Sequence, residues 1–394
     1  MLKILPAAFL SLALAVPPAL FSAPALPGIA AAMEAQIAKD EIAGAVTMVL
    51  TKDRVLHQAS TGLADRATGR AIAPDSVFWI ASMSKPITAT AVLMLQDEGK
   101  LKVTDPVAKY VPEFANLKTP SGQPANLTIV QILTHTSGLG EAKSEDTLKA
   151  RTLTDLVPAW LAAKMQFEPG SQWKYCQSGI NLAGRIVEVV SGRPFDDFLA
   201  ERLFAPLGMK DTTFYPTAEH RARLAVAYEK NKDTGALAPA KPRAEYGPKE
   251  RPPQGNGGLY STPNDYARFC QLLLNRGTFG GKRLLSEQAM GYLAGVQTGG
   301  LATGFFQTEE WGRRGLNYGW GLGTCVLKTP HPGLAAMLSP GTFGHGGAWG
   351  TQAWIDPVKG VAYLLMVQRS NFRNSDGSPV RLAFQEAAAA ALGR

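Results

Sequence analysis

The sequence predicts an α+β protein, an α/β sandwich. One antiparallel sheet is built from both ends of the chain, the first and last helices flank it, and a helical region is inserted between the two halves. Three observations carry this expectation. Strand patterns occur near the N-terminus and again near the C-terminus; the middle reads as helices; and 394 residues, 45% of them hydrophobic, suffice for a large core. The α/β part is expected at about residues 26–81 and 315–394, and the helical part at about 82–314. No internal repeat is visible.

Met1-Leu-Lys3 supplies one cation, Ile4 to Phe21 an apolar run, and Ala23-Pro24-Ala25 small residues at the −3 and −1 positions. This pattern predicts a secretory signal peptide over 1–25 and a mature domain over 26–394. Prolines at 6, 17 and 18 and the shortness of the run argue against a membrane anchor. A periplasmic or secreted address follows, with no membrane insertion after cleavage.

Pro27 to Asp40 has helical periodicity. Ala43 to Thr51 and Val55 to Gly62 read as strands joined by the turn Lys52-Asp53-Arg54, hence a hairpin. The apolar run Ile87 to Leu95 predicts a buried helix that starts near Ser82 and stops at Glu98-Gly99. Pro86 fits only the first turn, where its missing N–H has no partner to lose, and it biases Lys85 away from the α region. Leu101 to Pro112 reads as loop, Leu127 to Leu133 and Leu153 to Met165 as helices, and Phe167 to Gln172 as a turn. Ile180 to Val190 and Phe195 to Phe204 are helical, and 229–254 is a long polar loop. After the turn at 255–262 comes a helix from Pro263 to Arg276. The stretch 295–314, with Phe305, Phe306 and Trp311, suits a pocket wall or an ordinary loop. Tyr318 to Leu327, Gly350 to Ile355 and Val361 to Gln368 return to strands, and Ser378 to Leu392 closes the chain as a helix.

The chemistry centres on Ser82-Met-Ser-Lys85. Three residues is about one helical turn, so the two side chains share a face. A serine hydroxyl becomes a nucleophile when a base takes its proton, and a buried lysine with a lowered pKa is such a base. The motif alone is weak, and a second copy, Ser171-Gln-Trp-Lys174, reads as loop. Tyr175, at a turn-to-helix junction, is either a proton shuttle or a core tyrosine. His135 is either catalytic or, the commoner case, a histidine tying a turn. Phe343-Gly-His-Gly-Gly-Ala-Trp-Gly350 is either an oxyanion-binding strand edge or a plain glycine-rich turn.

Net charge is +8, but the basic residues are spread along the chain, which is weak support for nucleic-acid binding, and none is expected. Cys176, Cys270 and Cys325 allow at most one disulfide, and three buried thiols is the simpler reading. No Cys/His spacing suggests zinc, so neither metal nor cofactor is expected.

Ser82-Met-Ser-Lys85, Tyr175 and His345-Gly-Gly347, in that order, resemble the three motifs of the serine β-lactamase and penicillin-binding-protein superfamily. Leu133 to Leu139, Gly257 to Arg268 and Tyr318 to Gly323 extend the resemblance to about residues 28–390. The nearest branch is the class C-like one, which holds D-alanyl-D-alanine carboxypeptidases and family VIII carboxylesterases. The resemblance implies a β-lactamase/transpeptidase-like fold and an acyl-enzyme on Ser82, with Lys85 and Tyr175 as the acid-base pair. It implies an oxyanion hole from the N–H groups of Ser82 and Ala348, and substrate contacts at His345, Gly346, Gly347, Gln177 and Trp349. Two departures weaken the case for an anionic β-lactam or a D-Ala-D-Ala terminus and are tolerable in the esterase branch. Tyr175-Cys-Gln177 replaces the Tyr-x-Asn of the branch, and His345 stands where many β-lactamases carry the lysine of Lys-Thr-Gly, removing a permanent charge that would meet a substrate carboxylate. The expected substrate is a small ester, with amides and β-lactams as wider possibilities. The rival readings are a class C-like β-lactamase or D-alanyl-D-alanine carboxypeptidase, and a non-catalytic envelope-binding protein. The last is disfavoured because Ser82, Lys85 and Tyr175 are all present. Oligomeric state is not legible.

Overall fold

The computed structural model describes residues 25–241, 247–303, 314–330, 334–372 and 377–393. The predicted signal peptide and the aromatic residues Phe305, Phe306 and Trp311 lie outside the described residues. Among the described residues no helix is long and apolar enough to cross a membrane.

Eight antiparallel strands form the main sheet. In spatial order they are Tyr318–Trp320, Cys325–Leu327, Phe343–Gly346, Gln352–Asp356, Val361–Met366, Gly44–Leu50, Val55–Asp65 and Arg70–Ala71. The two chain ends meet in the middle, where Met48 is paired with Leu364. Both faces of the central strands are buried, and the period-2 alternation decides which residue faces which layer. Ala45, Val49, Val361, Tyr363 and Leu365 pack with Ile29, Met33, Val380 and Phe384 of the helices Ile29–Ala38 and Pro379–Ala391. Val46, Met48, Leu50, Ala362, Leu364 and Met366 belong instead to the larger core that contains the helix Ser84–Asp97.

That helix is the centre of the second layer. All of its residues from Ser84 to Leu95 are buried, so burial all round takes the place of an amphipathic stripe. It packs against the helix Gln177–Ser191 and stops at Glu98, with Gly99 at φ 72°, the left-handed position that glycine takes without strain.

Several local expectations are corrected. Tyr318 to Leu327 is not one strand but a hairpin of two, Tyr318–Trp320 and Cys325–Leu327. Its Gly321-Leu-Gly323 turn was masked in the sequence by apolar neighbours. The 229–254 stretch is not all loop, because Tyr228–Lys230 pairs with Leu237–Pro239. Glu41 ties this hairpin to the sheet through ion pairs with Lys230 and Arg369. The helix expected over 153–165 shrinks to Val157–Ala162 after a short 3₁₀ turn. Lys85, expected to avoid the α region, lies within the helix that begins at Ser84. The burial of its side chain outweighs the steric bias from Pro86. Cys176, Cys270 and Cys325 are free thiols as expected, but Cys325, on the short strand Cys325–Leu327, is only half-buried.

Candidate active site

A 3₁₀ turn, Ala81–Met83, carries Ser82 into the buried helix. Ala81 sits at φ 45°, a left-handed conformation that costs an L-residue about 1–2 kcal/mol. The turn is held from below. The Ser84 hydroxyl donates to Ala81 O at 2.7 Å and accepts from Leu259 N, and the Tyr266 hydroxyl donates to Met83 O at 3.0 Å. Ser82 itself remains partly exposed.

Lys85 is fully buried, and its Nζ has three partners: Ser82 Oγ at 3.0 Å, Gln177 Oε1 at 2.9 Å and the Asn256 carbonyl at 2.6 Å. Burial pushes the ammonium down to about 7, while the charge of Glu141 pulls the other way. The two carbonyl oxygens can only accept, so a neutral amine gives them its two N–H groups. Its lone pair is then directed at the Ser82 hydroxyl. This is the orientation of a general base.

Tyr175 brings its ring to 4.6 Å from Lys85 Nζ and its hydroxyl to 3.4 Å from His345 Nε2. His345 is buried, and its Nδ1 lies 2.6 Å from the Gly346 carbonyl, which fixes the proton on Nδ1. Burial, with the nearby Lys85 charge, pushes its imidazole down to about 3, so it is neutral and Nε2 accepts. The long Tyr175 contact is therefore a phenol donating to His345. His135, at φ 62°, brackets Tyr175: its carbonyl accepts from Lys174 N at 3.0 Å and its Nδ1 from Cys176 N at 3.1 Å. It has the turn-tying geometry.

The strand Phe343–Gly346 brings the third motif alongside. A side chain on Gly347 would meet Ile80 O at 2.6 Å and Thr351 Oγ1 at 2.2 Å, so only glycine permits the strand end to reach the backbone that precedes Ser82. Gly347 N bonds Thr351 O and Gly350 N bonds Gly347 O, a tight turn with Ala348 exposed and Trp349 half-buried at its tip. Trp349 packs against Trp79 with ring centroids 5.3 Å apart. The geometry thus gathers Ser82, Lys85, Tyr175, Gln177 and His345 into one network, with Gly346 to Trp349 on the adjoining strand and turn. The loop copy Ser171 to Lys174 is apart from that network, with Ser171 bonded to Glu168 O.

Two contributors escaped sequence reasoning. Asn256 acts through its backbone, for which a side-chain motif gives no signal. Its run Gly255-Asn-Gly-Gly258 was legible only as a turn. Glu141 receives Gln177 N at 2.5 Å, Ser178 N at 2.9 Å and the Ser178 hydroxyl at 2.8 Å, so its carboxylate covers the N-terminus of the helix that carries Gln177. A lone glutamate 36 residues upstream carries no local pattern. Next to Gln177 and Asn256 opens a cleft of about 490 Å³ with Leu148, Leu156 and Trp160 on its apolar side and Glu141 on its polar side.

A serine on a strained turn at the head of a buried helix, a fully buried lysine against its hydroxyl and a sheet edge beside both define a serine hydrolase of the β-lactamase/transpeptidase-like fold. The family model described as Beta-lactamase matches residues 29–387, and the chain belongs to that family. Esterase EstB of Burkholderia gladioli is 29% identical over 88% of this chain and 90% of its own. The D-alanyl-D-alanine-carboxypeptidase/endopeptidase AmpH of Escherichia coli K12 is 30% identical over 77% of this chain and 74% of its own. Among solved structures, EstCE1, a hydrolase with promiscuous acyltransferase activity, superposes with a TM-score of 0.77 over 92% of this chain and 97% of its own, at 22% identity. That likeness concerns the fold alone.

Proposed function

We propose that this protein is an exported carboxylesterase that works through an acyl-enzyme on Ser82. The observation that carries the reading is the neutral, doubly engaged His345 in the third motif. Many β-lactamases carry a lysine at that place to meet a substrate carboxylate; a neutral histidine there weakens the case for an anionic β-lactam or peptide terminus, and an ester needs no cation. Neutral Lys85 takes the Ser82 proton as Oγ attacks the ester carbonyl. The N–H groups of Ser82 and Ala348 receive the oxyanion, an effect worth about 10²–10³ in rate per donor. Tyr175, kept as a phenol by His345, gives its proton to the departing alkoxide, and the Lys85 ammonium returns one to Tyr175. The amine is then free to activate the water that hydrolyses the acyl-enzyme.

Gln177 spends its carbonyl on Lys85, so its NH₂ is the end left for a substrate acyl group lying in the cleft. The apolar residues there favour an aliphatic chain. The relationship to EstB supports this reading. AmpH supports the runner-up, a D-alanyl-D-alanine carboxypeptidase or β-lactamase of the same mechanism. Export rests on the composition of residues 1–25, and N-terminal sequencing of the secreted chain tests it by a start at Leu26. The function is tested by turnover of p-nitrophenyl butyrate against nitrocefin with Ser82→Ala as blank. Ester turnover far above nitrocefin turnover is expected, and the reverse ratio refutes the assignment.

A further inference from the structure

The mechanism makes no use of His57, a fully buried histidine on the strand Val55–Asp65. Its Nε2 lies 3.0 Å from the Thr47 hydroxyl on the neighbouring strand, and its Nδ1 accepts from the Leu26 backbone N–H at 3.0 Å. Accepting at Nδ1 places the ring proton on Nε2, so the imidazole is neutral and donates to Thr47. Burial works in the same direction and pushes the group down to about 4. One ring nitrogen is thus engaged inside the sheet, and the other faces the N-terminal segment.

Among the described residues Leu26 is the first whose side chain packs. It joins the core between the sheet and the first and last helices, while Ala25 is exposed. Pro27 biases Leu26 towards extended backbone, and Gly28, at φ 83°, turns the chain into the helix Ile29–Ala38. A short, stiff segment therefore aims the Leu26 nitrogen at His57. The composition of residues 1–25 independently puts the cleavage of a signal peptide at the bond just before that nitrogen. Small residues at −3 and −1, and a histidine 31 residues downstream of Leu26, converge on one atom.

We propose that His57 is the binding site of the mature chain's own α-amino group. The proposal rests on the export reading. Water adds across the Ala25–Leu26 peptide bond; the new carboxylate leaves on Ala25, and the new amine stays on Leu26 and is mostly protonated at pH 7. An amide N–H becomes an ammonium donating to the same Nδ1, in a hydrogen bond about twice as strong as a neutral one. Leu26 is only half-buried, which leaves the remaining N–H groups to water. The positive end of the helix that starts at Ile29 repels a loose cation here, so the terminus stays because His57 accepts from it. Docked in this way, the processed terminus pins the first helix to the sheet and is withheld from amine-directed reagents.

The test reads that withholding on the protein recovered after export, its first residue fixed by N-terminal sequencing. Acetylation by an N-hydroxysuccinimide ester at pH 7 is followed at the N-terminal peptide by mass spectrometry, with the free peptide Leu-Pro-Gly-Ile as internal reference. The docked amine is expected to react at least about tenfold slower than the peptide, the scale of a hydrogen bond to a charged group. His57→Val removes the acceptor and returns the amine to the peptide's rate. His57→Asn, whose Oδ1 stands near the place of Nδ1, keeps most of the protection. An amine as reactive as the free peptide, or protection untouched by His57→Val, overturns the proposal. The comparison with the peptide is made on the wild type, so it holds even where a variant fails to fold. A secreted chain that starts elsewhere than Leu26 refutes the cleavage reading and the proposal with it; a start at Leu26 with an unprotected amine refutes the proposal alone.

Discussion

If Lys85 is the base, the pH dependence of catalysis reports its burial directly. The perturbation is pH alone, and the readout is kcat/KM for p-nitrophenyl butyrate from pH 5 to 9, with the Ser82→Ala protein subtracted. With the amine pushed down to about 7, about 1% is neutral at pH 5, about half at pH 7 and about 90% at pH 8. The rate therefore climbs close to tenfold per unit below pH 6 and levels above pH 8. A lysine at its ordinary 10.5 would be only about 0.3% neutral at pH 8 and would still climb tenfold per unit at pH 9. The shift from 10.5 to about 7 corresponds to roughly 5 kcal/mol of disfavour for the charged form. Between those two pH values the unfolded chain binds a proton at Lys85 that the folded chain does not. The unfolding free energy of the wild type thus rises with pH in that window relative to Lys85→Met, a second reading of the same quantity by denaturant titration. A rate still rising tenfold per unit beyond pH 8 would refute Lys85 as the buried base.

Other outcomes follow from the same geometry. Glu141→Gln removes a charge that raises the Lys85 pKa, so the acidic limb of the rate profile moves to lower pH. A move to higher pH would contradict the sign. Leu148→Trp, at a 71% exposed position on the cleft, leaves the fold intact and narrows the acyl site. The kcat/KM ratio of octanoate to acetate p-nitrophenyl esters falls by about tenfold, the scale set by one or two methylenes in a pocket. Ala81→Gly relieves the left-handed strain before Ser82 and raises stability by about 1 kcal/mol in urea titration. An unchanged midpoint would mean that the turn stores no strain. Phe384→Ala empties a fully packed position between the last helix and the sheet and costs about 3–5 kcal/mol.

The sheet was legible because its strands alternate or run apolar, and the serine helix because a mostly apolar run, broken only by Thr88 and Thr90, marks it as buried. Ser82, Lys85 and Tyr175 were legible as residue types, and their order with His345 made the resemblance specific. The partners that complete the network were not. Asn256 contributes a carbonyl, which every residue has, and Glu141 reaches the Gln177 helix only through tertiary folding. The hairpins at 228–239 and 318–327 were missed because their strands are three residues long, below the length at which a period of two can be told from chance. Gln177 was legible only as a departure from the asparagine of the branch; that its carbonyl accepts from Lys85 Nζ at 2.9 Å is a fact of the folded chain.

The pairing of Met48 with Leu364 has a consequence for how the molecule is made. The first long strand waits for a partner more than 300 residues further along, so no fragment that ends before that partner can close the central sheet. The turn that carries Ala348, packed on the Ile80 backbone just before Ser82, arrives equally late. Loop closure over such a span is slow, and the exposed edges of the early hairpin are open to wrong pairings meanwhile. Maturation of the hydrolase is thereby tied to the late strands: a chain terminated before them carries the serine motif but cannot assemble the site around it.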